Sequence, residues 1–528
     1  MFQDQKIYLG KTGEEKTYIL PQMANRHGMI CGATGTGKTV TLKVLAEAFS
    51  DCGVPVFMAD VKGDLAGMCR PGTETEDMAQ RLENFGLRQE GFTFKDFPTN
   101  YWDVYAEKGL PLRTTISEMG PLLLARILGL NSTQEDVLTV VFKIADDEGL
   151  LLIDTKDLNS MLQYVSENSQ EYSIKYGNIA KQSIGAIQRA MIALDQQGGE
   201  LFFGEPALNI LDWLVTDPSG RGTIQVLDCQ KLILNPSMYS CFLLWMLSEL
   251  YENLPEVGDV EKPKLVFFFD EAHLLFDMAS KELLQKIEQV VKLIRSKGVG
   301  VFFVTQNPSD IPNPVLAQLG NKIQYALHAY TPAEQRGIKA ASDSFRANPA
   351  FNTAEALQNL GIGEALVSVL DAEGIPTVVE KVRILPPQSQ MGALDDLSRS
   401  QQINNSPLYD RYSEMEDRDS AYEFLERMRL TEQEAAQKVL EEKERLKEEA
   451  AAAKLKEKEE LAAQKQKERE ERKMKTTINT VIGSATGTVG RQLGKTLGGA
   501  VGGSFGKTLG GNVGASLGRG ILKTLFKL

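Results

Sequence analysis

Gly32, Ala33, Thr34, Gly35, Thr36, Gly37, Lys38 and Thr39 fit the spacing G-x-x-x-x-G-K-[ST] in full. Backbone N–H groups converge on phosphate oxygens only where side chains do not intervene, which accounts for the glycines. A helix starting at this corner adds partial positive charge. The Lys38 ammonium then suits the β- and γ-phosphates, and the Thr39 hydroxyl suits Mg²⁺. Together with Val40, these residues are expected to hold ATP.

Two more clusters could complete such a site. "KLVFFFDEAH" (264–273) is an apolar run ending in Asp270 and Glu271. Carboxylates at the end of a buried strand are costly unless they have chemistry to do. Asp270 suits an outer-sphere hold on Mg²⁺, and Glu271 suits a general base that takes a proton from the attacking water. "GVGVFFVTQNPSDIP" ends its strand in Gln306, an amide placed to sense the γ-phosphate or the water. "VFMADVKGD" ends in Asp60, Lys62 and Asp64; Asp60 and Lys62 are expected either to reach the nucleotide site or a substrate strand, or "KGD" forms a plain turn. His273 is expected to be structural, and His27 and His328 ordinary.

These residues need a rigid frame. "GMIC" ahead of the glycine corner is strand-like, and "VTLKVLAEAF" after it has helical spacing. Strands are expected at 28–31, 54–60, 223–227, 265–270, 300–305, 323–328, 365–370 and 378–384, with a hairpin of "KIYLG" and "KTYIL" before them. Several are unbroken apolar runs, as in parallel strands buried on both faces. Residues 1–390 therefore predict an α/β core, with a mostly helical insertion at about 70–222.

"PPQSQMG" (386–392) marks a boundary, and 391–429 is expected to be a linker. Residues 430–475 hold 13 acidic and 13 basic residues. Leu440, Leu446, Leu455 and Leu461 keep no heptad, which predicts a solitary charged helix rather than a coiled coil. Residues 476–528 form a basic tail in which Gly490, Gly494, Gly498, Gly502, Gly506, Gly510, Gly514 and Gly518 recur at every fourth place. The tail is either a disordered glycine-rich segment or a helical zipper that meets another helix or an anionic membrane surface.

The 528-residue chain carries a net charge of −13, so any contact with nucleic acid must be local, such as a pore or one face. Five scattered cysteines without a CxxC pair predict reduced thiols and a cytoplasmic setting. The N-terminus shows no signal-peptide pattern, and no apolar run is long enough for an ordinary transmembrane helix.

"GATGTGKT", "ADVKGD", "FFFDEAH" and "VTQNPSDIP" together resemble the HerA/FtsK branch of P-loop ATPases. "MANRHG", "AIQRAMIALDQQGG", "FFGEPAL" and "LIRSKGVGVFFVTQNPSDIP" narrow the resemblance to YjgR-type bacterial HerA-like ATPases, from about residue 17 to about 425. The resemblance implies a RecA-like core whose acid-pair strand is separated from the phosphate-loop strand by a third. It implies a homo-oligomeric ring, hexameric by preference, with ATP between subunits, acting on double-stranded DNA or, as in related secretion motors, on protein at the inner membrane. It also implies that Arg295 acts across the subunit boundary on the phosphoryl group, with Arg336 as the substitute. HerA carries an N-terminal β-barrel, and residues 1–27 are too few to form one. That departure leaves ring stability and a nuclease partner open.

Overall fold

The computed structural model describes residues 1–258, 260–277, 281–329 and 331–479. Among them, thirteen strands form one sheet: β1 (Phe2–Gln3), β2 (Lys6–Thr12), β3 (Glu15–Ile19), β4 (Gly28–Cys31), β5 (Val56–Asp60), β6 (Thr99–Asp103), β7 (Leu110–Pro111), β8 (Ile224–Asp228), β9 (Leu265–Phe269), β10 (Val299–Thr305), β11 (Asn321–Gln324), β12 (Glu364–Ser368) and β13 (Glu380–Ile384). The run β11-β4-β10-β9-β5-β8-β6-β7 is parallel throughout. β12, β13, β2, β1 and β3 extend one side of it antiparallel. The fold is the expected α/β P-loop architecture, and β10 lies between the phosphate-loop strand β4 and the acid-pair strand β9.

Strand residues alternate between two cores even where every one is apolar. Met29, Cys31, Phe57, Phe267, Phe269, Val301 and Phe303 point to one face, and Ile30, Met58, Val266, Phe268, Phe302 and Val304 to the other. The helix Lys38–Asp51 covers the second face through Leu42, Leu45 and Phe49. The first face is covered by helices Ile116–Ile127, Ser132–Glu148, Thr155–Glu167, Lys181–Gln196 and Pro236–Asn253. Burial on both faces explains the unbroken hydrophobicity of β9 and β10. It also directs polar residues to the strand ends, the only places left where they meet water.

Two sequence expectations differ from this frame. The region 70–222 is mostly helical, yet it supplies β6, which pairs with β8. The segment 391–429 is packed rather than free. Arg399 pairs with Asp228 at 3.1 Å, with both side chains buried. Ser406 donates to Asn100 at 2.8 Å. Tyr412 is fully buried, its ring edge-on to Trp102 at 5.3 Å. These anchors are widely spaced and seat in notches made by distant residues, so no local periodicity announces them.

The chain divides into a unit ending at Glu434 and a second beginning at Ala435. A helix spans Ala421–Asn479, and residues 435–473 within it are exposed. The glycine-rich tail from 480 on lies outside the described residues. Among the described residues, no helix is long and apolar enough to cross a membrane.

Candidate functional site

All the parallel strands run the same way, so the phosphate-loop corner after β4, the acid pair after β9, Gln306 after β10 and Lys62 after β5 emerge at one edge of the sheet. The corner is built by special backbone conformations. Gly32 has φ +152° and Gly37 φ +123°, and a Cβ at Gly32 would lie 2.4 Å from Cβ of Tyr325. Tyr325 backs the loop: its N–H donates to the Cys31 carbonyl at 2.7 Å, and its hydroxyl pairs with that of Thr41. Thr36 Oγ1 donates to the Ala33 carbonyl at 2.7 Å. Thr34 and Gly35 are exposed, whereas Thr39 and Val40 are half-buried at the helix start.

Lys38 is buried, and its Nζ donates to the carbonyls of Gly32 at 2.6 Å and Ala33 at 3.2 Å. Burial lowers its pKa, while the nearby charges of Glu271 and Asp270 act to raise it. The phosphate-loop lysine and the acid pair therefore share one electrostatic neighbourhood.

Asp270 and Glu271 are 5% and 4% exposed. Burial, followed by the charge of Glu271, pushes the Asp270 carboxyl up to about 6. Glu271 has φ +48°, uncommon for a residue with a side chain. Its Oε1 lies 2.5 Å from Lys62 Nζ, and its Oε2 accepts from Gln306 Nε2 at 3.3 Å. Burial alone would raise its pKa, but the Lys62 and Gln306 contacts outweigh burial and hold it below the usual value.

His273 Nδ1 also lies 3.3 Å from Glu271 Oε2, an ion-pair distance without hydrogen-bond geometry. Although expected to be structural, His273 lines a cleft of about 440 Å³ beside the phosphate loop, together with Ala33, Gln306, Asn307, Asp310 and His328. Asp310 fixes the wall after β10 by accepting from Thr305 Oγ1 at 2.6 Å and from the Asn307 N–H at 3.0 Å.

The residues that the sequence singles out do not all converge. Arg295 follows the helix Lys281–Ile294 and precedes β10, at the opposite edge of the sheet from the acid pair. The seven residues of β10 separate it from Gln306, about 20 Å at strand rise. Its own chain's site is out of its reach. Arg336 is exposed on the helix Pro332–Asp343, whose Gly337 and Ile338 line the cleft. His27 is an ordinary core residue: its Nε2 faces the Val291 carbonyl at 2.9 Å and its Nδ1 accepts from the Val301 N–H at 3.1 Å. Tyr325 is a site residue that sequence reasoning does not find. No local signal marks it, because its partners are the glycine corner and Thr41, far away in the chain.

A glycine corner between strand and helix, with an acid pair on the next strand but one of a parallel sheet, defines a P-loop nucleoside-triphosphatase fold. Within that class, the chain belongs to the helicase HerA-like C-terminal family, whose sequence profile matches residues 5–508. It is similar to the DNA double-strand break repair helicase HerA of Sulfolobus acidocaldarius, at 20% identity over 392 residues, 70% of this chain and 67% of that protein. The HerA of Sulfurisphaera tokodaii is 24% identical over 380 residues, again 70% of this chain and 67% of that protein. A probable helicase of Methanocaldococcus jannaschii is 31% identical over 125 residues, and the match spans only 22% of that protein's length. Among solved structures, the bacterial conjugative coupling protein TrwB is similar with a TM-score of 0.48 and 15% identity, covering 74% of this chain and 91% of that one. VirB4 of Thermoanaerobacter pseudethanolicus is similar with a TM-score of 0.44 and 17% identity, covering 72% and 97%.

Proposed function

We propose that the chain is a Mg²⁺-dependent ATPase that works as a homo-oligomeric ring, with a hexamer favoured, and translocates double-stranded DNA. One observation carries the ATPase reading: the Glu271 carboxylate is buried, held below its usual pKa by Lys62 and Gln306, and within the field of Lys38. A site that only bound nucleotide would have no use for such a base.

The residues fit ATP and Mg²⁺. Gly32 and Gly37 let the corner close against Tyr325, which a Cβ at either position would strike. Lys38, held by the loop carbonyls of Gly32 and Ala33, has an ammonium at the corner that a phosphate oxygen can claim. Thr39 and Asp270 would hold Mg²⁺, Thr39 through its hydroxyl and Asp270 from the outer sphere. The ion supplies charge neutralisation when bound. Glu271 takes a proton from water as the water oxygen bonds to the γ-phosphorus, and the bond from that phosphorus to the bridging oxygen breaks, leaving ADP and phosphate. Gln306 orients the water. Arg295, beyond reach of its own site, serves the neighbouring copy's.

The DNA reading is supported by family membership and by the DNA-repair helicase role for which the HerA relatives are named. The net charge of −13 confines DNA to a local channel. A second reading, a membrane- or protein-associated motor, is favoured by the basic tail, which contains no acidic residue after Glu471. The reduced-thiol composition supports a cytoplasmic setting, at the inner membrane on the second reading. ATP turnover measured with duplex DNA and, separately, with anionic liposomes distinguishes them. The DNA motor predicts stimulation by DNA that fades steeply with salt. Stimulation by liposomes with none by DNA would replace it with the second reading.

A further inference from the structure

The structure places a second lysine, besides Lys38, beside the acid pair. Lys62 follows β5 and reaches Glu271 Oε1 at 2.5 Å. Its charge is felt at Lys38 and is itself stabilised by Asp270, Glu271 and Asp64. Two ammonium groups and the acid pair thus meet where a terminal phosphate would sit.

The loop carrying Lys62 is built with unusual care. The buried Asp60 accepts from the N–H groups of Gly63 at 2.7 Å and Leu65 at 3.1 Å. Gly63 has φ +79°, and a Cβ there would lie 2.4 Å from Gln230 Nε2. That same Nε2 donates to the Lys62 carbonyl at 2.9 Å. Gln230 is in turn held by Lys108 Nζ at 2.6 Å and, through its N–H, by Asp228 at 3.1 Å. The backbone of Lys62 is therefore fixed from two strands, while its side chain remains 43% exposed.

Only the Lys62 end of this ion pair is half-exposed, the Glu271 end being buried. A fixed backbone that carries a half-exposed ammonium is suited to presenting a cation. A terminal phosphate carries more charge than Glu271 and offers several acceptor oxygens, so it competes for the ammonium while the backbone stays in place.

We propose that Lys62 is a catalytic residue that contacts the terminal phosphate of the nucleotide in its own subunit, moving to it from Glu271 and thereby freeing that carboxylate to accept a proton. The proposal rests on the ATPase reading above and adds a triphosphate-sensing cation to it. Lys62 has no part in binding ADP, because its contact is with the phosphate that ADP lacks.

The test uses the full chain and measures Mg²⁺-dependent binding of ADP and of a non-hydrolysable ATP analogue, together with ATP turnover. Lys62→Met should bind ADP within about threefold of wild type. It should lose at least about tenfold of the preference for the analogue, the worth of one charge-assisted contact. Its kcat should fall by at least about 100-fold. Lys62→Arg should recover part of the preference, and Lys62→Gln should repeat the Met result should Lys62→Met fold poorly. Unchanged preference and kcat in Lys62→Met and Lys62→Gln would overturn the proposal. So would equal weakening of ADP and analogue, the signature of a structural role. Glu271→Gln provides the separate control: normal turnover there would refute the base assignment while leaving the binding test of Lys62 intact.

Discussion

At the scale of single residues, the site and the core use histidine and carboxylate in opposite ways. His27 is buried and neutral, and burial lowers its pKa to about 4. Below pH 6.5 the unfolded chain binds a proton that the folded chain refuses until about pH 4, so the stability His27 contributes is lost on acidification through that window. Asp60 and Asp270, pushed up mainly by burial to about 7 and about 6, have the reverse sign, and the folded state gains as pH falls. The two effects offset each other in the wild-type curve. The comparison with His27→Gln isolates the histidine: the stability advantage of wild type over this variant should shrink by about 2 kcal/mol between pH 7 and pH 5 in denaturant unfolding. A constant difference would mean that His27 is not held neutral. The Lys38, Asp270 and Glu271 chemistry is legible in the sequence because each sits in a short motif at the end of an apolar run. The Lys62–Glu271 pair is not, since only the adjacency of β5 and β9 brings these distant positions together.

At the scale of elements, the sheet order explains why short motifs suffice. β4, β10 and β9 are neighbours and parallel, so their C-terminal ends must share an edge. Unbroken apolar runs identify these strands from sequence. β6 escapes such reading because "TNYWD" is short, polar at both ends and follows Pro98, so nothing local distinguishes it from a loop. The 391–429 segment escapes it for the related reason that its anchors, Arg399, Ser406 and Tyr412, bond to residues hundreds of positions earlier. The corner itself makes a sharp demand. Gly37→Ala would put a side chain at φ +123° and 3.1 Å from the Tyr325 ring. The expected cost is about 1–3 kcal/mol of stability. Nucleotide affinity should fall by at least about tenfold, as read by calorimetry. Wild-type affinity in this variant would show that the corner does not need glycine.

At the scale of the whole molecule, the role proposed for Arg295 depends on assembly. It lies at the sheet edge away from its own acid pair, so only a neighbouring copy could bring it to a phosphate. Mixing wild-type with Arg295→Ala chains should lower ATP turnover more steeply than the wild-type fraction falls. Turnover proportional to that fraction would remove the trans role and return attention to Arg336, beside the cleft.

The central claim is that the glycine corner and the acid pair act together on one triphosphate. It is tested most directly by Mg²⁺-dependent ATP turnover of wild type, Lys38→Ala and Glu271→Gln, with nucleotide binding measured alongside. Lys38→Ala should lose both binding and turnover. Glu271→Gln should bind ATP as wild type does while turning it over about 100- to 10,000-fold more slowly. Turnover at the wild-type rate in both variants would contradict the account.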